Sequence, residues 1–175
     1  MASWDAALMA FIVSSAIGFL MADAELRRVR YVQAMRRCLL RMNDLIRYER
    51  LPLGQMLLRI DLRATPQEKE LCRLLHQSAK RLEHCANPQL MLLFAGESAK
   101  AAWYGVLEAQ DREAFETVLS ELGRTGRDEQ LRLIDEADER MRLREEELRR
   151  RSSQRAQMIR TLGLSGGAAM FLILI

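Results

Sequence analysis

The chain has 175 residues, 27 Lys and Arg against 24 Asp and Glu, and 49% hydrophobic side chains. Only nine Gly and three Pro, with long Ala/Leu/Arg/Glu/Met stretches and few β-branched residues, exclude a turn-rich β protein and predict an all-α fold. Three cysteines, Cys38, Cys72 and Cys85, form an odd set without framework spacing, which excludes a disulfide scaffold and predicts a reducing compartment.

Two uncharged runs lie at the ends. Ala6–Ala22 would form a helix roughly 26 Å long at 1.5 Å per residue, slightly short of a hydrocarbon core of about 30 Å. Trp4 is placed to anchor it at an interface. A cleaved signal peptide is the rival, since Ala22-Asp23-Ala24 has small residues at the right spacing. No Lys or Arg precedes the run, and Arg27, Arg28, Arg30, Arg36 and Arg37 follow it, which favours an uncleaved anchor. The second run, residues 161–175, gains length if Arg160 snorkels to the interface. Its Gly163, Gly166 and Gly167 would give a small-residue face for another membrane helix. Arg149, Arg150, Arg151, Arg155 and Arg160 flank it on the inner side. The expected organisation is a transmembrane helix at 6–22, a cytosolic helical domain at 24–160 and a transmembrane helix at 161–175. Both termini would lie outside, in a multi-pass protein of the cell membrane. The same arginine clusters lack interleaved aromatics for base stacking, so nucleic acid is not an expected partner.

Between the runs the helices can be read in order. No Gly or Pro occurs between Met21 and Leu51, and Leu26, Val29, Val32, Met35, Leu39, Met42, Leu45 and Ile46 recur at helical steps. Arg28, Arg30, Arg37, Arg41 and Asp44 are expected on the opposite, exposed face. Pro52 stops this helix and is expected in the first turn of a short one reaching about Ile60. Thr65-Pro66-Gln67-Glu68 predicts an N-cap, a first helical residue and a capping box. Leu71, Leu74, Leu75, Ala79 and Leu82 would face inward from that helix. Asn87-Pro88 is expected to cap the next segment, Gly96 to interrupt it and Ser98 to restart a helix carrying Ala102, Trp103, Val106 and Leu107. Asp111 is expected as the N-cap of a helix through Phe115, Val118, Leu119 and Leu122, ended by Gly123. The last helix starts near Asp128 and continues into the C-terminal run. The count is about six helices, the two long ones antiparallel and the shorter ones filling the bundle.

No phosphate-binding Gly-rich loop, dinucleotide fingerprint or nucleophile elbow is present. Cys72, His76, His84 and Cys85 have zinc-ligand chemistry. A straight helix would nevertheless hold Cys72 and Cys85 about 20 Å apart, so no metal or cofactor is expected. Tyr48 and Trp103 read first as core or interhelical residues. The sharper reading makes the turn carrying Arg47, Tyr48, Arg50, Pro52 and Leu53 a partner-docking surface.

Taken together, the N-terminal anchor, Ile46-x-Tyr48-x-x-x-Pro52-Leu53, Ala101-Ala102-Trp103, Leu122-Gly123 and Met158-Ile159-Arg160-Thr161-Leu162-Gly163-x-x-Gly166 with its apolar end carry a resemblance. Their order and spacing resemble the stage III sporulation protein AB family across essentially the whole chain. The loop Gly123-Arg124-Thr125-Gly126 is shorter than is usual there. The resemblance implies a non-enzymatic protein of the mother-cell membrane around the forespore, working in a channel-like, secretion-like complex. It implies a cytosolic domain similar to the helical domain of the type II secretion platform protein. The implied partners are a cytosolic secretion-type ATPase (stage III sporulation protein AA), other membrane subunits and a possible second copy of the chain. A membrane-tethered helical regulator or sensor unrelated to secretion is the alternative.

Overall fold

The first described helix, α1, covers residues 26–48. The computed structural model describes residues 26–49, 51–82, 89–99, 101 and 105–174, and for 155–174 the backbone alone. Among the described residues there are helices and turns and no strand. The expected apolar stripe of α1 is buried from Val29 to Leu45, with Val32, Met35, Leu39 and Met42 fully so. Leu26 stays exposed. Arg28, expected in solvent, is buried, because two carboxylates described below neutralise it. The helix stops short of Leu51: the residue before a proline is driven out of the helical region, so the chain leaves α1 before Pro52 arrives.

Pro52 is the N-cap of α2, Leu53–Leu58, one position earlier than expected. Its ψ of 147 is extended while its carbonyl already accepts the Met56 N–H at 2.9 Å. Helix α3, Pro66–Leu82, begins as predicted. The Thr65 N–H donates to Glu68 Oε2 at 2.9 Å, and the Glu68 N–H to Thr65 Oγ1 at 3.3 Å. Leu71, Leu74, Leu75 and Ala79 point into the core, and Leu82 is half-buried.

Helix α4 is Leu90–Ser98 and runs through Gly96, which does not interrupt it. A glycine costs a helix only about 1 kcal/mol, and burial of Leu90 and Phe94 offsets that. Ser98 ends this helix, its hydroxyl donating to the Ala95 carbonyl at 3.1 Å, so it is not the start of the next one; Gly105 and Val106 are helical again and Leu107 is buried. The expected cap at Asn87-Pro88 and the residues Ala102 and Trp103 lie outside the described residues. Helix α5 is Ala109–Glu121, with Glu108 and not Asp111 as N-cap. Asp111 sits at the third helical position and accepts the Glu108 N–H at 2.9 Å, so it closes the capping box from inside. Phe94 of α4 and Phe115 of α5 meet edge-to-face, centroids 5.9 Å apart, and both are fully buried.

Gly123 follows α5 at φ 83, a left-handed conformation that side chains disfavour. A Cβ there would also lie 3.0 Å from Leu53 Cδ2. The left-handed φ is what favours glycine at this turn, and a side chain there would also have to displace the tip of Leu53.

The last helix, α6, is Arg127–Leu174, within a residue of the expected start. It runs antiparallel to α1, as polar contacts show: Asn43 Nδ2 donates to Asp135 at 2.6 Å, Arg36 Nε to Asp138 at 2.8 Å and Gln33 Nε2 to Glu145 at 2.9 Å. The chain divides into two compact units, residues 1–27 with 147–175, and Arg28–Glu146. Every interhelix contact named above lies within the second.

Among the residues whose side chains are described, no helix is long and apolar enough to cross a membrane. The expected spans, 6–22 and 161–175, lie outside them, although the backbone is helical through Leu174. Gly163, Gly166 and Gly167 are therefore on a helix whose side-chain surroundings are outside the description.

Candidate partner-docking surface

The turn after α1 is where the sequence concentrated its candidate residues, and three elements meet there. Helix α1 leaves its last carbonyls without helical partners, as every helix must. Arg127 supplies them: its Nε donates to the Ile46 carbonyl at 3.1 Å and its Nη2 to the Arg47 carbonyl. A cation is misplaced at the N-terminus of its own helix α6, but its guanidinium reaches the negative end of α1, where it is favourable. Arg59, at the end of α2, donates to Glu49 at 2.8 Å. Leu53 packs on Gly123. Between these contacts lies a cleft of about 320 Å³, with Ile46, Leu51, Met56 and Gln130 in its walls.

Tyr48 projects from this frame 78% exposed, so its reading as a core residue is overturned. The helix ends at Tyr48, which puts the ring beyond the last turn that could bury it. Arg47 is exposed, with its Nε 3.3 Å from Asn43 Oδ1, and Pro52 is exposed as well. Leu53 is half-buried against Gly123 and serves the turn. Arg50 lies outside the described residues. Tyr48 and Arg47 are thus both exposed at the end of α1, where Arg127 holds the last carbonyls and Arg59 holds Glu49. Nothing in the sequence reading singled out Arg127, although a cation directly at a predicted helix start was itself a sign that its partner lay elsewhere.

The other charged assembly is internal. Asp111, 1% exposed, accepts Arg28 Nε at 2.5 Å, Arg28 Nη2 at 3.0 Å and Arg144 Nε at 2.8 Å. Arg28 also donates to Glu108 at 2.6 Å. Burial alone would push the Asp111 carboxyl up, but the Arg28, Arg144 and Glu108 N–H bonds outweigh it and hold the group below the usual carboxylate range. One carboxylate so ties together α1, α5 and α6.

Cys72 and His76 hold backbone. Cys72 Sγ accepts the Leu62 N–H at 3.3 Å, and His76 Nε2 lies 2.9 Å from the Ile60 carbonyl. Burial pushes the Cys38 and Cys72 thiols up, which makes them poor nucleophiles. His84 and Cys85 lie outside the described residues. Among the described residues no cluster of three or more His, Cys, Asp or Glu is arranged to hold a metal ion.

The fold defines an all-α helical bundle stitched by arginine–carboxylate pairs. The chain belongs to the stage III sporulation protein AB family, whose model matches residues 3–175. That is a sporulation family and not a known enzyme family. No curated protein and no solved structure matches the chain.

Proposed function

We propose that the protein is a non-enzymatic membrane platform component of a secretion-like complex in stage III sporulation. It docks a cytosolic secretion-type ATPase, stage III sporulation protein AA, to the mother-cell membrane around the forespore. The observation that carries the reading is the pairing of two uncharged terminal runs with arginine clusters on their inner flanks, in a chain of this family. Residues 6–22 and 161–175 are the anchors, residues 24–160 the cytosolic domain, and Gly163, Gly166 and Gly167 the packing face for other membrane subunits or a second copy.

Topology is tested by impermeant thiol labelling of cells that carry the protein in their plasma membrane. Cys38 and Cys72 are buried and cannot report sidedness. Single reporters at Ser3→Cys and at the exposed Ser153→Cys replace them. Ser3→Cys should label from outside and Ser153→Cys only after lysis. Labelling of Ser153→Cys in intact cells would remove the cytosolic domain from the cytosol.

Docking is assigned to the rim around Tyr48, with Arg47, Arg50, Pro52 and Leu53. An exposed tyrosine beside arginines combines residue types enriched at interface hot spots. Arg47→Glu/Arg50→Glu and Tyr48→Ala should each weaken ATPase binding by about 1–2 kcal/mol. Because Tyr48 is exposed, its truncation should leave the melting temperature unchanged. Titration of purified ATPase onto the full-length protein, with a melt of each variant, decides this. Unchanged binding in both variants would move the docking site elsewhere.

A further inference from the structure

Helix α3 sorts its charges onto two sides. Its two carboxylates are consumed by α1 and its own cap: Glu68 takes Arg37 at 2.8 Å and the Thr65 N–H, and Glu70 takes the Tyr31 hydroxyl at 2.6 Å. Of its exposed cations, Arg81 pairs with Glu97 at 2.8 Å, while Lys69, Arg73 and Lys80 are spaced four and seven residues apart. At about 100° per residue they fall within about 40° of one another around the helix. Arg63, from the segment preceding α3, joins them. The four cations stand around a groove of about 620 Å³ in whose lining Cys72 is buried and Leu62 and His76 are half-buried. Among the described residues the one carboxylate in its lining, Asp61, accepts from Arg63 at 2.6 Å. The side chains of Lys69 and Arg73 form no hydrogen bond or ion pair among the described residues. The wall opposite α3, residues 61–63, is fixed at Leu62 by Cys72 and just before it by the His76 contact to the Ile60 carbonyl, so the groove is preformed.

We propose that this groove binds an acidic peptide segment of a partner protein, in extended form, with carboxylates on Lys69, Arg73 and Lys80 and an apolar side chain over Leu62 and Cys72. From Lys69 to Lys80 the helix rises about 16 Å, the length of about five extended residues. Charge complementarity fixes the sign of the occupant: Lys69 and Arg73 stand in the lining without a described carboxylate against them. The mixed lining fixes its class. An inorganic anion would leave the apolar part of the groove unused, and a nucleic-acid strand would find no Phe, Tyr or Trp ring among its described lining residues, only the His76 imidazole already held by the Ile60 carbonyl. The surface is distinct from the Tyr48 rim, and the proposal does not depend on which protein docks there.

The test uses the full-length protein in neutral detergent and a fluorescent peptide, Asp-Glu-Leu-Asp-Glu, followed by anisotropy at low salt. Its amide counterpart, Asn-Gln-Leu-Asn-Gln, should bind at least about tenfold more weakly. Lys69→Glu/Arg73→Glu should reduce affinity for the acidic peptide by about tenfold or more, and Lys69→Gln/Arg73→Gln, which adds no repulsion, by a smaller factor. Arg132→Glu, exposed on α6, should change nothing. A melt of each variant identifies any that unfolds, and the Gln pair then decides. Equal binding by wild type and the Gln pair, or no binding at about 1 mM peptide, overturns the proposal. So does a single-stranded oligonucleotide that displaces the peptide and binds more tightly with the same dependence on Lys69 and Arg73.

Discussion

Asp111→Asn is expected to destabilise the protein by about 3–5 kcal/mol, because it leaves two guanidinium groups facing an amide that cannot neutralise them. Asp111 is 1% exposed and accepts hydrogen bonds from Arg28, Arg144 and the Glu108 N–H. An asparagine keeps one oxygen but turns an NH₂ toward a donor, so part of the network becomes donor against donor. For a unit of this size the loss corresponds to roughly 10–25 °C in melting temperature. The pH dependence has a definite sign. The folded carboxyl lies below its ordinary range, so its stabilisation is full above about pH 4 and is lost as pH falls through the folded value. Wild type should therefore lose stability steeply below about pH 4, and Asp111→Asn less steeply over the same interval. Thermal melts of both proteins from neutral to acid pH provide the measurement. A variant that melts like wild type, or keeps the same acid limb, would show that Arg28 and Arg144 are hydrated in solution.

Phe115→Ala should cost about 3–5 kcal/mol, the range for a fully buried aromatic whose cavity cannot collapse. The ring is fully buried and meets Phe94 at an interplanar angle of 63°. Phe94→Ala should cost nearly as much, and the double variant less than the sum, by about 0.5–1.5 kcal/mol, the worth of an edge-to-face pair. Denaturant unfolding of the four proteins would measure this cycle. A cost below about 1 kcal/mol for Phe115→Ala would mean that α4 opens independently of the rest of the core. Such opening has a physical basis: α4 carries Leu92 at 66% exposure, so its outer face adds little burial.

What the sequence made legible was local. Thr65 and Glu68 sit three residues apart, and their reciprocal hydrogen bonds form without reference to the rest of the chain. The α1 stripe from Val29 to Leu45 obeys a single period and was readable for the same reason. Arg28 was misread because its partner Asp111 is 83 residues away, and no local rule connects an arginine on one helix with a carboxylate on another. Asp111 was misplaced for a related reason. An aspartate is a favoured N-cap, but here it answers to Arg28 and Arg144, and Glu108 takes the terminal position. Gly96 looked like a break because intrinsic propensity was weighed without the burial of Phe94 that overrides it. Tyr48 was placed correctly in the chain but on the wrong side of the surface, since a helix that ends three residues early carries its last ring out of the core. The charged groove along α3 went unseen because it depends on which carboxylates turn toward α1.

The polar contacts between α1 and α6 also fix how those helices respond to load. Asn43–Asp135, Arg36–Asp138 and Gln33–Glu145 hold one register within Arg28–Glu146. A slip of one turn, about 5.4 Å, would pull Asn43 from Asp135 and Gln33 from Glu145, and would take Arg36 away from one of the two carboxylates, Asp138 and Glu145, that it spans. Sliding is thus opposed both ways, and the pair behaves as a shear-locked strut: axial force applied to one helix is carried across to the other with the register intact.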